Sequence, residues 1–133
     1  MTQNDETTIR NLITTWMNAG GNLDIILPLM DEDVVFLQAG QPPMRGRAAF
    51  AAASQGMQNQ NMRFEASNEI IEVHVNSDWA YCWTQLNVTI LIEGKPPIHR
   101  AGPTLSVLRR QADGAWAIYR DANMLAVVTG GQN

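Results

Sequence analysis

At 133 residues with 45% hydrophobic content, the chain is expected to form one domain, residues 1–133, with a core that needs neither disulfide nor metal. Its formal charge of −4, with only 9 Lys and Arg that are scattered apart from Arg109-Arg110, argues against a surface that tracks phosphates, so no nucleic-acid partner is expected. Cys82 is the only cysteine, the first residues carry no basic or apolar leader, and no apolar run reaches membrane-spanning length; the expected setting is the cytoplasm, with no membrane contact.

Ile9, Leu12, Ile13, Trp16 and Met17 repeat as one stripe of a helix, with Asp5 and Glu6 in the first turn at the favourable end of the helix dipole. Gly20-Gly21 ends it, and Asn22 caps a second, short helix in which Leu23, Ile26, Leu27 and Met30 keep the same spacing. Pro28 removes a backbone bond there, so a kink or tight final turn is expected. Asp31-Glu32-Asp33 reads as a polar break, Asp33 as a cap for backbone N–H groups, and Val34 to Gln38 as a short buried strand. Gly40, Pro42, Pro43 and Gly46 mark a loop, after which a third helix runs with Phe50, Ala53, Ser54 and Met57 on one face and dissolves into Gln58-Asn59-Gln60-Asn61.

Four strands are expected next. Arg63 to Asn76 alternates in its second half, and Asn76-Ser77-Asp78 is turn chemistry. Trp79 to Ile92 alternates throughout: Ala80, Cys82, Thr84, Leu86, Val88 and Ile90 form an apolar face that needs a core or a partner chain. The opposite face, Trp79, Tyr81, Trp83, Gln85, Asn87 and Thr89, either lines a small-molecule pocket or faces water. Gly94-Lys95-Pro96-Pro97 turns the chain into His99 to Arg110, and Asp113-Gly114 into Trp116 to Val128; residues 129–133 are expected to fray. Helices first and a meander after is α+β, three N-terminal helices packed on one side of a curved antiparallel sheet.

This order resembles the nuclear transport factor two-like, or cystatin-like, fold. Residues Leu29 to Leu37 (LMDEDVVFL), Gly40 to Arg47 (GQPPMRGR), Asp78-Trp79-Ala80-Tyr81, Asp113-Gly114-Ala115-Trp116 and Arg120-Asp121-Ala122-Asn123 are similar to the SnoaL-like small-domain families, in particular the group often labelled SgcJ/EcaC. The resemblance covers nearly the whole chain. It implies a conical half-barrel whose concave side, closed by the helices, holds a cavity, and a homodimer through the outer sheet face. The fold hosts isomerases, dehydratases, cyclases, epoxide hydrolases and plain binding or assembly modules. In ketosteroid isomerase a carboxylate base works beside an oxyanion hole of a tyrosine and a protonated aspartate. Laid on this chain, the base falls on Gln38, the tyrosine on Trp16 and the aspartate near Ser106. A carboxamide has no useful basicity near neutral pH, so a standard ketosteroid isomerase is not expected.

The resemblance turns Asp121, together with Ala117 and Tyr119, toward the cavity, where desolvation would raise its pKa and make it a usable base or acid. The alternative is an ion pair with Arg45, Arg100 or Arg120. Trp16, Trp83 and Tyr119 are candidates for an aromatic wall, joined by Phe36, Met44 and Tyr81. Gln38, Gln85, Asn87, Thr104, Ser106 and Asn123 are the candidate polar contacts. Arg45 either holds a ligand carboxylate or enolate at the rim or orders its own loop. His74 and His99 stand on different strands without metal-ligand spacing, Cys82 reads as an inert core thiol, and Gly40, Gly46 and Gly56 do not space as a phosphate loop. No metal and no cofactor are expected. Three functions remain: binding a small, mainly apolar or aromatic molecule; a cofactor-independent isomerase, cyclase or dehydratase with Asp121 as base and Trp16, Gln38, Ser106 or Arg45 holding the oxyanion; or a dimeric assembly module without ligand.

Overall fold

The computed structural model describes residues 2–128. Helix α1 (Thr2–Asn18) buries Ile9, Leu12 and Ile13 of the expected stripe, and the Oδ1 of Asn22 accepts from the Asp24 N–H to cap α2 (Leu23–Ile26). Pro28 sits in a 3₁₀ turn over Leu27–Leu29, the tight final turn its missing N–H calls for. Strand β1 (Met30–Gln38) then begins at once. Asp31-Glu32-Asp33 is thus strand and not a break, because the one acid that is buried, Asp31 at 3% exposure, has its charge met by Arg109 and its other oxygen met by the Asp33 N–H. The capping carboxylate is therefore Asp31, not Asp33.

The remaining elements are β2 (Met44–Arg45), α3 (Arg47–Asn59), β3 (Met62–Asn76), β4 (Trp79–Ile92), β5 (Ile98–Arg110), β6 (Trp116–Asn123) and β7 (Ala126–Val127). Strands order as β2-β1-β6-β5-β4-β3, with β7 also on β5. The hairpins β3–β4, β4–β5 and β5–β6 are antiparallel, but β1 lies parallel to β6, so the sheet is mixed and not wholly antiparallel. The reason is topological: β1 leaves the helical half of the chain and enters the sheet beside the last long strand, a neighbour to which no hairpin joins it.

Burial fixes which face is which. On β4, Ala80, Cys82 and Thr84 are buried against the helices, while Trp79 and Trp83 are 45% and 41% exposed. The even positions therefore form the inner wall. At one end of the cone Ala80, Leu108, Ile118 and Met30 follow one another across four paired strands beneath Ile9. Arg110 locks this end by pairing with Asp5 of α1 at 2.8 Å and with Asp78 at 3.1 Å, and the Trp116 indole N–H also donates to Asp5.

Two irregularities in the last strand matter for the site. Leu108 pairs with Ile118 but Val107 pairs with Arg120, so Tyr119 is an extra residue, a bulge that reverses the alternation. Trp116 and Ile118 before it, and Asp121 and Asn123 after it, consequently share the inner face. Farther on, the expected strand to Val128 is interrupted at Met124-Leu125, which crosses the inner side of Gly102. Any side chain at 102 would run into the Met124 carbonyl, which only glycine avoids. The segment 129–133, expected to fray, lies outside the described residues.

Candidate functional site

Asp121 stands at the centre of an inner-face rung that runs across the sheet as Cys82, Ser106, Asp121, Phe36 and Met44, each paired with the next in the strand register. The Ser106 hydroxyl donates to Asp121 Oδ2 at 2.7 Å. The next rung along is polar: Thr84, Thr104, Asn123 and Gln38. Of these, Thr104 has a buried hydroxyl with no hydrogen-bond partner, and the Asn123 Oδ1 accepts weakly from the Leu125 N–H at 3.4 Å.

Burial pushes the Asp121 carboxyl up to about 6, against a smaller opposing effect of the Ser106 hydrogen bond. Asp121 nevertheless keeps some accessible surface, as do Trp16, Phe36, Gln38, Phe50 and Asn123 around it. Among the described residues no ion pair includes Asp121; Arg100 donates to the Leu125 carbonyl and Arg120 to the carbonyls of Asp33 and Tyr119. Burial also pushes the neighbouring Cys82 thiol up to about 11, which leaves it protonated and unreactive at neutral pH.

The helices supply the opposite wall. Trp16 of α1 meets Phe36 and Phe50 edge-on at 6.2 and 6.0 Å, and Phe36 stacks on Phe50 of α3 at 5.1 Å. Phe50 was legible only as part of a helical stripe, since its place in an aromatic wall depends on how α3 lies across β1. Two clefts open at the far end of the β3–β4 hairpin from its Ser77 turn. One of about 410 Å³ is lined by Gly20, Gly21, Ser54, Met57 and Phe64 among others, and one of about 510 Å³ by Gln58, Met62, Arg63 and Ile92 among others.

Several expected wall residues lie elsewhere. Tyr81, Trp83, Gln85 and Asn87 occupy the outer, convex face of β4, because the helices pack on the smaller even-numbered side chains. Tyr119 is also outside, thrown there by its bulge; its ring lies 5.5 Å from that of Trp79, with the Arg109 and Arg120 guanidinium carbons 4.1 and 3.8 Å from its centre. The wall of Trp16, Trp83 and Tyr119 is thus replaced by Trp16, Phe36 and Phe50. Arg45 is exposed and pairs with Val35 on the outer parity, whereas Met44 pairs with Phe36 on the inner one. Asp121, Trp16, Phe36, Gln38, Met44, Thr104, Ser106 and Asn123 are the candidates brought together on the inner side. His99, on the outer face, hydrogen-bonds Thr89 at 2.9 Å, and among the described residues no three His, Cys, Asp or Glu side chains gather as a metal site. No helix among them is long and apolar enough to cross a membrane.

No curated protein matches the chain in sequence. Among solved structures, a conserved protein from Planctomyces limnophilus is 30% identical with a TM-score of 0.87, the match covering 95% of this chain and 99% of that one. A ketosteroid isomerase-like protein from Erwinia carotovora atroseptica shares the fold at 19% identity and a TM-score of 0.76, covering 94% and 97%. A hexachlorocyclohexane dehydrochlorinase from Novosphingobium barchaimii does so at 13% and 0.80, covering 96% and 92%. A related structure from Novosphingobium aromaticivorans is described as nuclear transport factor two-like with a cystatin-like fold. The family model for the SnoaL-like domain matches residues 9–119, and the chain belongs to that family.

Proposed function

We propose that the cone takes in a small, mainly apolar or aromatic molecule and that Asp121 moves a proton on it without a cofactor. The observation that carries this reading is the Asp121 carboxyl: it faces inward, is desolvated, has no cation beside it, and titrates at about 6. Such a group is ionised at neutral pH yet basic enough to take a proton from an activated carbon. Ser106 holds one oxygen and so aims the other. Proton transfer from the ligand's C–H to Asp121 leaves the carbon's electron pair delocalised onto a neighbouring oxygen, for which Thr104 offers an O–H and Asn123 an amide N–H. Trp16, Phe36 and Phe50 supply apolar contact for a flat molecule. Isomerising a ketosteroid and removing HCl from a chlorinated ring, the reactions named for two structural neighbours, likewise require loss of a carbon-bound proton.

The test is hydrogen–deuterium exchange at the α-carbon of 2-tetralone in D₂O, followed by NMR. The wild-type protein is expected to accelerate exchange with a rate that rises through about pH 6 and levels above it, and Asp121→Asn to lose about 10²-fold or more. Equal exchange by the variant would remove Asp121 as the base.

A second reading concerns the convex face, where Leu37 of β1, Leu105 of β5 and Trp83 of β4, each more than 40% exposed, lie on one rung that passes through Ala122 of β6. We propose that two copies pair there. Arg45 and Arg120 flank one side of this apolar strip and Glu65, Glu69 and Glu72 the other, so a two-fold pairing sets opposite charges together. A monomer by sedimentation at micromolar concentration would overturn it. The expected setting is the cytoplasm, which suits a lone buried thiol.

A further inference from the structure

Strand β3 is the last strand of the sheet and is bonded to β4 alone, so one of its edges is free. Along that edge every second residue turns its N–H and C=O away from β4, and among the described residues no backbone bond outside the sheet ladder reaches positions 62–76. The two halves of the strand differ. Ile70, Val73 and Val75 pack against the core, whereas Arg63, Phe64, Glu65, Ala66 and Ser67 are exposed in succession, Phe64 at 40% although it shares the inner parity of Ile90. Five consecutive exposed residues of an edge strand leave open both of its faces and the row of backbone groups between them.

We infer that this segment pairs antiparallel with the same segment of a second copy, about a two-fold axis at Phe64. In that register Phe64 faces the partner's Phe64, Arg63 faces the partner's Glu65, and Glu65 faces the partner's Arg63. Met62 and Ala66 face each other in the same way. Neither Arg63 nor Glu65 belongs to an ion pair among the described residues, so both charges are available. The charges also select the register. Within the exposed stretch, an axis at Arg63 or at Glu65 opposes like charges, and one at Ala66 leaves Glu65 facing the partner's Ser67. The pairing further lays the partner's Phe64 beside the cleft of about 410 Å³ to which Met57, Met62 and Phe64 contribute. This contact uses the free edge and not the convex strip, so either stands without the other.

The experiment is a disulfide scan in the full chain with copper phenanthroline as oxidant, in which the buried Cys82 takes no part. Met62→Cys chains mixed with Ala66→Cys chains are expected to crosslink, because the two positions face each other at a Cβ spacing of about 5 Å. Either variant alone should crosslink at least ~10-fold less, since its two thiols then lie four residues apart, about 13 Å at ~3.3 Å per residue. Adding Glu65→Arg to both chains should lower the mixed crosslink about 10-fold. Adding Arg63→Glu as well exchanges the places of the charges and should return it to within about 2-fold. Phe64→Cys, which faces itself across the axis, reads the same register should Met62→Cys fail to fold. Equal crosslinking by mixed and single chains, or a charge exchange that does not rescue, overturns the pairing. Dimers in sedimentation without the mixed crosslink overturn it too and leave the convex face as the interface.

Discussion

Ser106 donates to Asp121 across the β5–β6 ladder at 2.7 Å, and among the described residues this is the contact that restrains a carboxyl otherwise surrounded by apolar and neutral side chains. The bond is charge-assisted when Asp121 is ionised, so it lowers the pKa, but less than desolvation raises it.

The first prediction is a pH signature in stability. The folded carboxyl holds its proton up to about pH 6, while the unfolded one releases it near its ordinary value of about 4. Between these values the native state binds more protons, so the stability contributed by protonated Asp121 is lost as pH rises through that window. Asp121→Asn, which can still accept from Ser106, is expected to be roughly 2–3 kcal/mol more stable than the wild type at pH 7.5 and about equal to it at pH 4. Urea unfolding at the two pH values checks this; a variant less stable at both would speak against a desolvated acid.

Thr104→Val is expected to stabilise the unliganded protein by about 1 kcal/mol, because it replaces a buried hydroxyl that has no partner with an isosteric methyl. The same change should slow the exchange of 2-tetralone several-fold. Thermal denaturation and exchange kinetics together separate the two effects, and a destabilised variant would mean that the hydroxyl is already satisfied.

Gly102→Ala is expected to cost about 1–3 kcal/mol, because the new methyl meets the Met124 carbonyl and must displace the backbone that crosses there. Hydrogen exchange at the Met124 amide, which bonds to the Pro103 carbonyl at 2.9 Å, should accelerate in step.

Asp31 behaves in the opposite sense to Asp121. Burial works against its charge, but the Asp33 N–H, Gln111 and Arg109 together outweigh it and hold the carboxyl below its ordinary range. Its contribution is therefore present above about pH 4 and lost as pH falls through the lowered value. Asp31→Asn, which leaves Arg109 without its counter-charge, should cost about 2–4 kcal/mol at pH 7 and progressively less below pH 4 in denaturant titrations. A cost that does not change with pH would rule out the ion pair as its source.

The order of the helices and long strands and the bounds of β3, β4 and β5 were legible in the sequence, because the Ile9 to Met17 stripe and the Trp79 to Ile92 alternation are long, regular signals, whereas the start of β1, the two-residue β2 and the break before β7 were not. What alternation cannot supply is the identity of the inner face. The rings and amides of β4 resemble a pocket lining, yet the helices select the side with small residues, Ala80, Cys82 and Thr84, because those admit close packing. Nor can it reveal a bulge: counting by twos from Trp116 places Asp121 opposite to it, and only the extra residue at Tyr119 brings both to the same side. Asp121 was thus assigned to the inner wall through the family resemblance, while Tyr119, assigned there with it, lies outside.

The most direct measurement is a titration of the side-chain carboxyl carbons by ¹³C NMR on aspartate-labelled protein, with Asp121→Asn used to assign the resonance. A carboxyl that titrates near 6 and shifts upward again when a neutral aromatic ketone is added is the predicted result. A midpoint at or below about 4, the ordinary aspartate value, would mean that Asp121 is solvated or paired with a cation, and the proposal of a proton-transferring site would be lost.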